Sequence, residues 1–115
     1  MITIYQIHLS DSDIIAINAR GWDASPKVNA YSKLSNFGHD KWKPEYMQYF
    51  ELTYDVDTDD LDKAFEYTNL WENDRVRRIT RGHSSSVGDI FVKDGDCYIV
   101  DRFGFTNIGK FEGFN

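Results

Sequence analysis

Between Asp55 and Glu66 the chain reads Asp-Val-Asp-Thr-Asp-Asp-Leu-Asp-Lys-Ala-Phe-Glu, with acids at positions 1, 3, 5 and 12 of a twelve-residue window. That is the ligand spacing of an EF-hand calcium loop. Position 6 of such a loop needs glycine for its sharp turn and here carries Asp60. Position 8, usually apolar, carries Asp62, and Leu61, Ala64 and Phe65 already recur with a helical period. A helix cannot wrap its own side chains around one ion, so Asp57, Asp59 and Asp60 are expected to start a helix, where the partial positive charge of its N-terminus favours them. The same acids belong to a stretch, 40–74, in which eleven Asp and Glu oppose Lys41, Lys43 and Lys63, a net −8. Arg75, Arg77, Arg78 and Arg81 follow directly. Clustered guanidinium groups suit phosphate or carboxylate recognition. The simpler expectation is that they neutralise the acidic helix within the molecule.

Nucleophilic chemistry finds little support. Cys97 is the only cysteine, and His8, His39 and His83 are scattered, with no local signature that would bring an imidazole to a thiol. Cys97 is therefore expected to be a buried structural residue. The run His83-Ser84-Ser85-Ser86 ahead of Val87-Gly88-Asp89 offers hydroxyls and a glycine that could cradle an anion, but neither the basic residue nor the helix of a phosphate loop follows. It reads as a polar loop leading into a strand. Zinc-ligand spacing and dinucleotide-binding glycines are absent, so no enzyme and no cofactor are expected. Trp22, Trp42 and Trp71 remain as aromatic anchors for a partner surface, with Asp57, Asp59, Asp60 and the four arginines as its charged surroundings.

These residues need elements to hold them. Residues 2–9 alternate with period two and predict an opening strand. Ser10-Asp11-Ser12-Asp13 supplies capping oxygens, Ile14, Ile15 and Ile17 an apolar stripe, and Gly21 a stop, predicting a helix over about 11–20. Lys27 to Leu34 reads as a strand and 36–40 as turns. Pro44 opens a short aromatic helix, Glu51–Asp55 a strand, and 58–72 the best-patterned helix. Residues 75–80 read as an exposed strand or linker. Two strand-like runs, 87–93 and 96–101, flank Asp94-Gly95, a strong hairpin signal, and a third begins after Phe103-Gly104. The expectation is one α+β domain over residues 1–115, with a mixed or antiparallel sheet, two to three short helices and a C-terminal three-stranded meander over about 87–110.

With 115 residues, 41% of them hydrophobic and 16% aromatic, the chain has enough apolar surface for a core. A net charge of −6 disfavours a non-specific grip on nucleic acid and is modest for a dedicated phosphate mimic. The lone cysteine points to a reducing cytoplasm, and no signal-peptide pattern or membrane-spanning run is seen.

Ser84-Ser85-Ser86-Val87-Gly88-Asp89-Ile90-Phe91-Val92, with Tyr98-Ile99-Val100-Asp101-Arg102-Phe103-Gly104-Phe105 beyond the hairpin, resembles the signature of the YodL-like proteins of bacteriophages and conjugative elements. Ile4–Leu9, Gly21-Trp22 and Trp42–Tyr46 also resemble small tailed-phage proteins with this ending. The resemblance implies a small accessory protein of a phage or mobile element and assigns no activity or catalytic residue. The leading expectation is a non-enzymatic protein that binds and modulates a host or phage protein. The competing class is a nucleic-acid-binding module that stacks bases on Phe91, Tyr98, Phe103 and Phe105 beside Arg75–Arg81, and the third an acidic nucleic-acid mimic.

Overall fold

Alternation in the first residues becomes strand β1 (Ile2–Ile7), and everything else is arranged around it. β2 (Phe50–Val56) pairs with one edge of β1 and β4 (Ile90–Lys93) with the other, both antiparallel. β3 (Val76–Arg78) adds outside β2, while β5 (Asp96–Val100) and β6 (Phe105–Lys110) add outside β4. The result is one six-stranded antiparallel sheet of order β3-β2-β1-β4-β5-β6 in an α+β domain. The computed structural model describes residues 1–70 and 73–112.

The C-terminal meander forms as its turn chemistry dictates. Asp94 and Gly95 take φ of 51° and 81°, the left-handed conformation that a two-residue hairpin requires. Three α-helices complete the fold: α1 (Asp11–Arg20), α2 (Pro26–Phe37) and α3 (Leu61–Asn69), with 3-10 turns at Gly38–Lys41 and Pro44–Tyr49. The expected strand at Lys27–Leu34 is instead the body of α2. Ser25 accepts the Val28 N–H as its cap, Pro26 occupies the first turn, and Val28, Ala30 and Leu34 are the residues it buries. Short apolar runs do not distinguish strand from helix by themselves, and the cap decides. α3 starts at Leu61 rather than 58 because Asp60 is its N-cap, accepting the Lys63 N–H at 3.0 Å.

Both faces of the sheet are covered. Ile7, Phe50, Ile90, Cys97 and Ile99 pack with Ala30 and Leu34 of α2, and Trp42 and Met47 close the same core. Ile2, Ile4, Tyr54, Val56, Phe91 and Val100 pack with Ala64 of α3 on the other. α1 contributes to neither core, since none of its residues is buried.

Candidate functional site

The three histidines, scattered in sequence, gather at one end of the sheet. β1 ends at Ile7 just before His8, opposite Phe50 where β2 begins. Asp89 precedes β4, and Asp101 follows β5 with His39 bound to it. Two carboxylate–histidine clusters result.

The first is built on Gln6, which continues the inward phase of Ile2 and Ile4 and is fully buried. Its Nε2 donates to Asp89 Oδ2 and to the His83 carbonyl, both at 2.9 Å, and its Oε1 accepts the His83 N–H at 3.2 Å. Asp89 Oδ2 also accepts the Ser86 N–H at 3.0 Å, and the Tyr54 hydroxyl donates to the His83 carbonyl at 2.9 Å. Burial pushes the Asp89 carboxyl up to about 7, against the opposing influence of His83, Gln6 and Ser86. A β-bulge beside Gln6 inserts Thr53 between Leu52 and Tyr54, which pair with Tyr5 and Ile4. Thr53 Oγ1 lies 3.0 Å from His8 Nε2, and His8 Nδ1 lies 2.7 Å from Glu51 Oε2. Burial holds His8 below the usual histidine range although Glu51 works against it.

Carboxylate, imidazole and hydroxyl in line is the arrangement that activates a nucleophile. Here Thr53 is fully buried and its hydroxyl also donates to the Glu51 carbonyl at 3.1 Å, so no substrate reaches it. Gly82 seals it from above. A Cβ on Gly82 would run into Thr53 Cγ2 and stand 2.6 Å from Gln6 Oε1. Beside the seal, His8, Leu9, Asp11, Arg81, Gly82 and His83 line a cleft of about 400 Å³. His83 Nδ1 faces the Ser84 carbonyl at 2.8 Å, and its Nε2 is buried with no hydrogen-bond partner among the described residues.

The second cluster is closed and more open to water. Asp101 accepts the His39 backbone N–H at 2.8 Å, meets its Nδ1 at 2.8 Å and accepts from the Thr106 hydroxyl. Burial pushes the Asp101 carboxyl up, but Thr106 and His39 together outweigh it and hold the group below the usual range. Gly38, at φ 58°, lies so close that a Cβ would overlap Asp101 Oδ1. Phe37, His39, Val87, Arg102, Phe103 and Thr106 are among the residues lining an adjoining groove of about 530 Å³.

The loop 83–89 does more than lead into a strand. Ser85 is buried with its hydroxyl against that of Thr68, Ser86 is tied to Asp89, and Gly88, at φ 95°, packs on the Leu34 backbone. These contacts account for Ser85, Ser86, Gly88 and Asp89 by packing and hydrogen bonding. Cys97 is buried in the α2-side core, and burial pushes its thiol up to about 11.

The residues singled out from sequence are dispersed. Trp22 is half-exposed and stacked on Tyr31 at 6.1 Å. Trp42 packs edge-on against Tyr46 and Phe50, and Trp71 lies outside the described residues. Asp59 pairs with the N-terminal ammonium at 2.6 Å, Asp60 caps α3, and the Asp57 backbone N–H donates to the Arg75 carbonyl. With Asp55 paired to Arg77, the acids of the twelve-residue window do not converge on one point. Among the described residues the ion pair that the arginine cluster forms is with a carboxylate of β2 and not of α3, because β3 pairs with β2 in antiparallel register. Arg77 binds Asp55, and Arg75 reaches the Asp57 carbonyl and lies over the Tyr67 ring. Arg78 lines a separate groove with Tyr54 and Tyr67, while Arg81 lines the histidine cleft. Phe91 is fully buried and cannot stack a base, a correction to the aromatic platform expected from sequence, of which Phe103 alone is widely exposed. Sequence reasoning missed Gln6, Thr53 and Gly82. The available signal was Gln6 itself, a polar residue on the apolar phase of a strand.

Comparison with protein-family models, with curated proteins and with solved structures finds no match to this chain.

Proposed function

We propose that this is a non-enzymatic interaction domain that presents α1 and Trp22 to an apolar groove rimmed by basic residues on a partner protein. The observation that carries the reading is α1 itself. It is a ten-residue helix with a complete capping box between Ser10 and Asp13 and a glycine stop at Gly21, yet none of its residues is buried. Ile14 and Ile15 are 45% and 69% exposed and Trp22 50%. A helix capped at both ends that leaves Ile14 and Ile15 largely in water offers exposed apolar side chains to a partner surface. Lys27 pins Asp13 at 2.8 Å and leads the influences that hold its carboxyl low. Asp11 and Asp23 stay exposed at the two ends of the patch and outnumber the exposed Arg20 of its last turn, which favours a basic rim on the partner. The resemblance to YodL-like proteins supplies the setting: an accessory protein of a phage or mobile element, acting in the cytoplasm on a host protein. No helix among the described residues is long and apolar enough to cross a membrane.

The test is affinity capture from host lysate with the wild type and with Ile15→Glu, followed by titration of the recovered protein. Ile15 is exposed, so the variant keeps its melting temperature and loses the partner. If wild type and variant recover the same proteins with the same affinity, the α1 reading fails.

A further inference from the structure

We propose that residues 81–87 form a strap across the bulge of β2, fastened by side chains, and that it lifts when Asp89 gives up its proton. The connection from β3 to β4 runs through 79–89 without helix or strand. Backbone bonds tie its two ends. The Ile79 and Thr80 N–H groups donate to the Thr53 carbonyl, and at the far end the Gly88 N–H donates to the Val100 carbonyl and the Val100 N–H to the Asp89 carbonyl. Between these ends, among the described residues, the only backbone-to-backbone hydrogen bond is the local one from the Asp89 N–H to the Ser86 carbonyl. Side chains hold the rest. The Gln6 amide takes both the N–H and the carbonyl of His83, the Tyr54 hydroxyl donates to the same carbonyl, and the Thr68 hydroxyl meets that of Ser85. A segment outside the strand ladders can open without unfolding the sheet.

Asp89 is the latch. Its Oδ2 accepts from Gln6 Nε2 and from the Ser86 N–H, so one carboxyl fixes both the amide that grips His83 and the last turn of the strap. Asp89 is buried, and burial pushes its carboxyl up to about 7, whereas a lifted strap lets it ionise in water. The titratable groups that face it are His83 on the strap, Tyr54 on β2, and Tyr31 on α2, which shares a small cavity with it. Phenols ionise only near about pH 10. A positive His83 favours the ionised carboxyl and so flattens the response. His8, under Gly82 and faced by Glu51, His83 and Lys27, works in the opposite direction: burial holds it low, and a lifted strap lets it take up a proton below 6.5. Gly82 is the part of the strap that covers Thr53, so lifting opens the line of Thr53 hydroxyl, His8 imidazole and Glu51 carboxylate to water.

The test is amide hydrogen exchange read residue by residue by NMR from about pH 4 to 8, with the intrinsic exchange rate divided out at each pH. The His83 amide reports the strap and the Gly88 amide its backbone-tied end. In wild type the His83 amide is expected to exchange roughly tenfold or more faster than that of Gly88, and to keep its rate in dilute urea while the Gly88 rate rises. The ratio of strap opening in wild type to that in Asp89→Asn is expected to climb between about pH 4 and 7, by up to about tenfold per pH unit, and to level off above. His8→Gln removes the opposing imidazole, so in that variant strap opening climbs over the same window by itself, which gives a reading even where Asp89→Asn does not fold. Exchange of His83 in step with Gly88 in urea overturns the proposal, because the loop then opens only with the whole fold. A ratio to Asp89→Asn that does not change with pH, or pH-independent opening in His8→Gln, overturns it as well, because the strap then does not answer to Asp89.

Discussion

Two carboxylate–histidine clusters stand at the same end of one sheet and are held together by opposite means. Around Gln6 the polar groups are sealed from water, Asp89 is pushed toward its protonated form, and one imidazole nitrogen of His83 has no partner among the described residues. Around Asp101 the imidazole is half-exposed, the carboxyl is held in its charged form, and each nitrogen of the His39 ring faces a carboxylate. Burial strengthens hydrogen bonds and penalises charge in the first, whereas in the second a charged carboxylate is held by hydrogen bonds that water moderates. The first cluster is thus the one in which a lost hydrogen bond costs most, and the second is suited to bracing an exposed turn.

The largest test of that contrast is Gln6→Leu, which keeps side-chain size and removes every bond of the hub. Asp89 keeps only the Ser86 N–H, and the His83 N–H is left without its acceptor, so a loss of roughly 3–5 kcal/mol in urea unfolding is expected. An effect below about 1 kcal/mol would mean that water replaces the amide and that the cluster is not sealed.

Titration separates the clusters next. The folded-state pKa of Asp89 is raised to about 7 from an ordinary value of 3.8, so its contribution to stability is fully present below 3.8 and is lost as pH rises through about 7. Wild type is expected to lose stability relative to Asp89→Asn between about pH 4 and 7, at no more than about 1.4 kcal/mol per pH unit. Asp101 is held low, so its contribution is present above 3.8 and disappears as pH falls through its lower folded value. Wild type is therefore expected to lose its advantage over Asp101→Asn only in strong acid. His8, also held low, contributes above 6.5 and loses that contribution as pH falls, which opposes Asp89 over part of the same window. Urea midpoints measured as wild-type-minus-variant differences cancel the groups that the variants share. Slopes of the same sign for Asp89 and Asp101 would show that the two carboxyls sit in like surroundings.

How much of this was legible beforehand depended on the range of the interaction. The meander was readable because Asp94-Gly95 sets its own turn, and the role of the acids before α3 because capping is local. α2 was misread because its strand-like run is decided by the cap at Ser25 and by burial against strands far along the chain. The clusters were unreadable because each joins residues more than sixty positions apart: Gln6 to His83 and Asp89, and His39 to Asp101. Only sheet order brings them together. Trp42 illustrates the same limit, since an aromatic that looks like an anchor in sequence packs against Tyr46 and Phe50 once the 3-10 turns fold.

The glycines test packing at the two sites. Gly82→Ala drives a methyl into Thr53, which is held in the bulge, and Gly38→Ala drives one into Asp101 while keeping the left-handed φ of 58°. Each is expected to cost about 1–3 kcal/mol. Adding Asp101→Gly to Gly38→Ala is expected to relieve only the steric part, because the backbone conformation persists, and the double-mutant cycle in urea reads the remainder.

The smallest effect is expected from His39→Ala. Asp101 would lose the imidazole but keep the His39 backbone N–H and the Thr106 hydroxyl, and the freed oxygen reaches water because the histidine side chain is 49% exposed. The expected cost is below about 1 kcal/mol, in line with partly exposed ion pairs. Removing the imidazole of His8 instead leaves the buried Thr53 hydroxyl with the Glu51 carbonyl as its remaining partner and opens a void under Gly82, so His8→Ala is expected to cost more. Salt separates the two as well. Added sodium chloride is expected to shrink the His39→Ala effect, because it screens the contact of a charged Asp101 carboxylate that water already reaches. It should leave the His8→Ala effect nearly unchanged, because there the loss is one of packing and buried hydrogen bonding. Equal costs with equal salt dependence would make the two clusters variants of one device, and the contrast drawn from burial would be wrong.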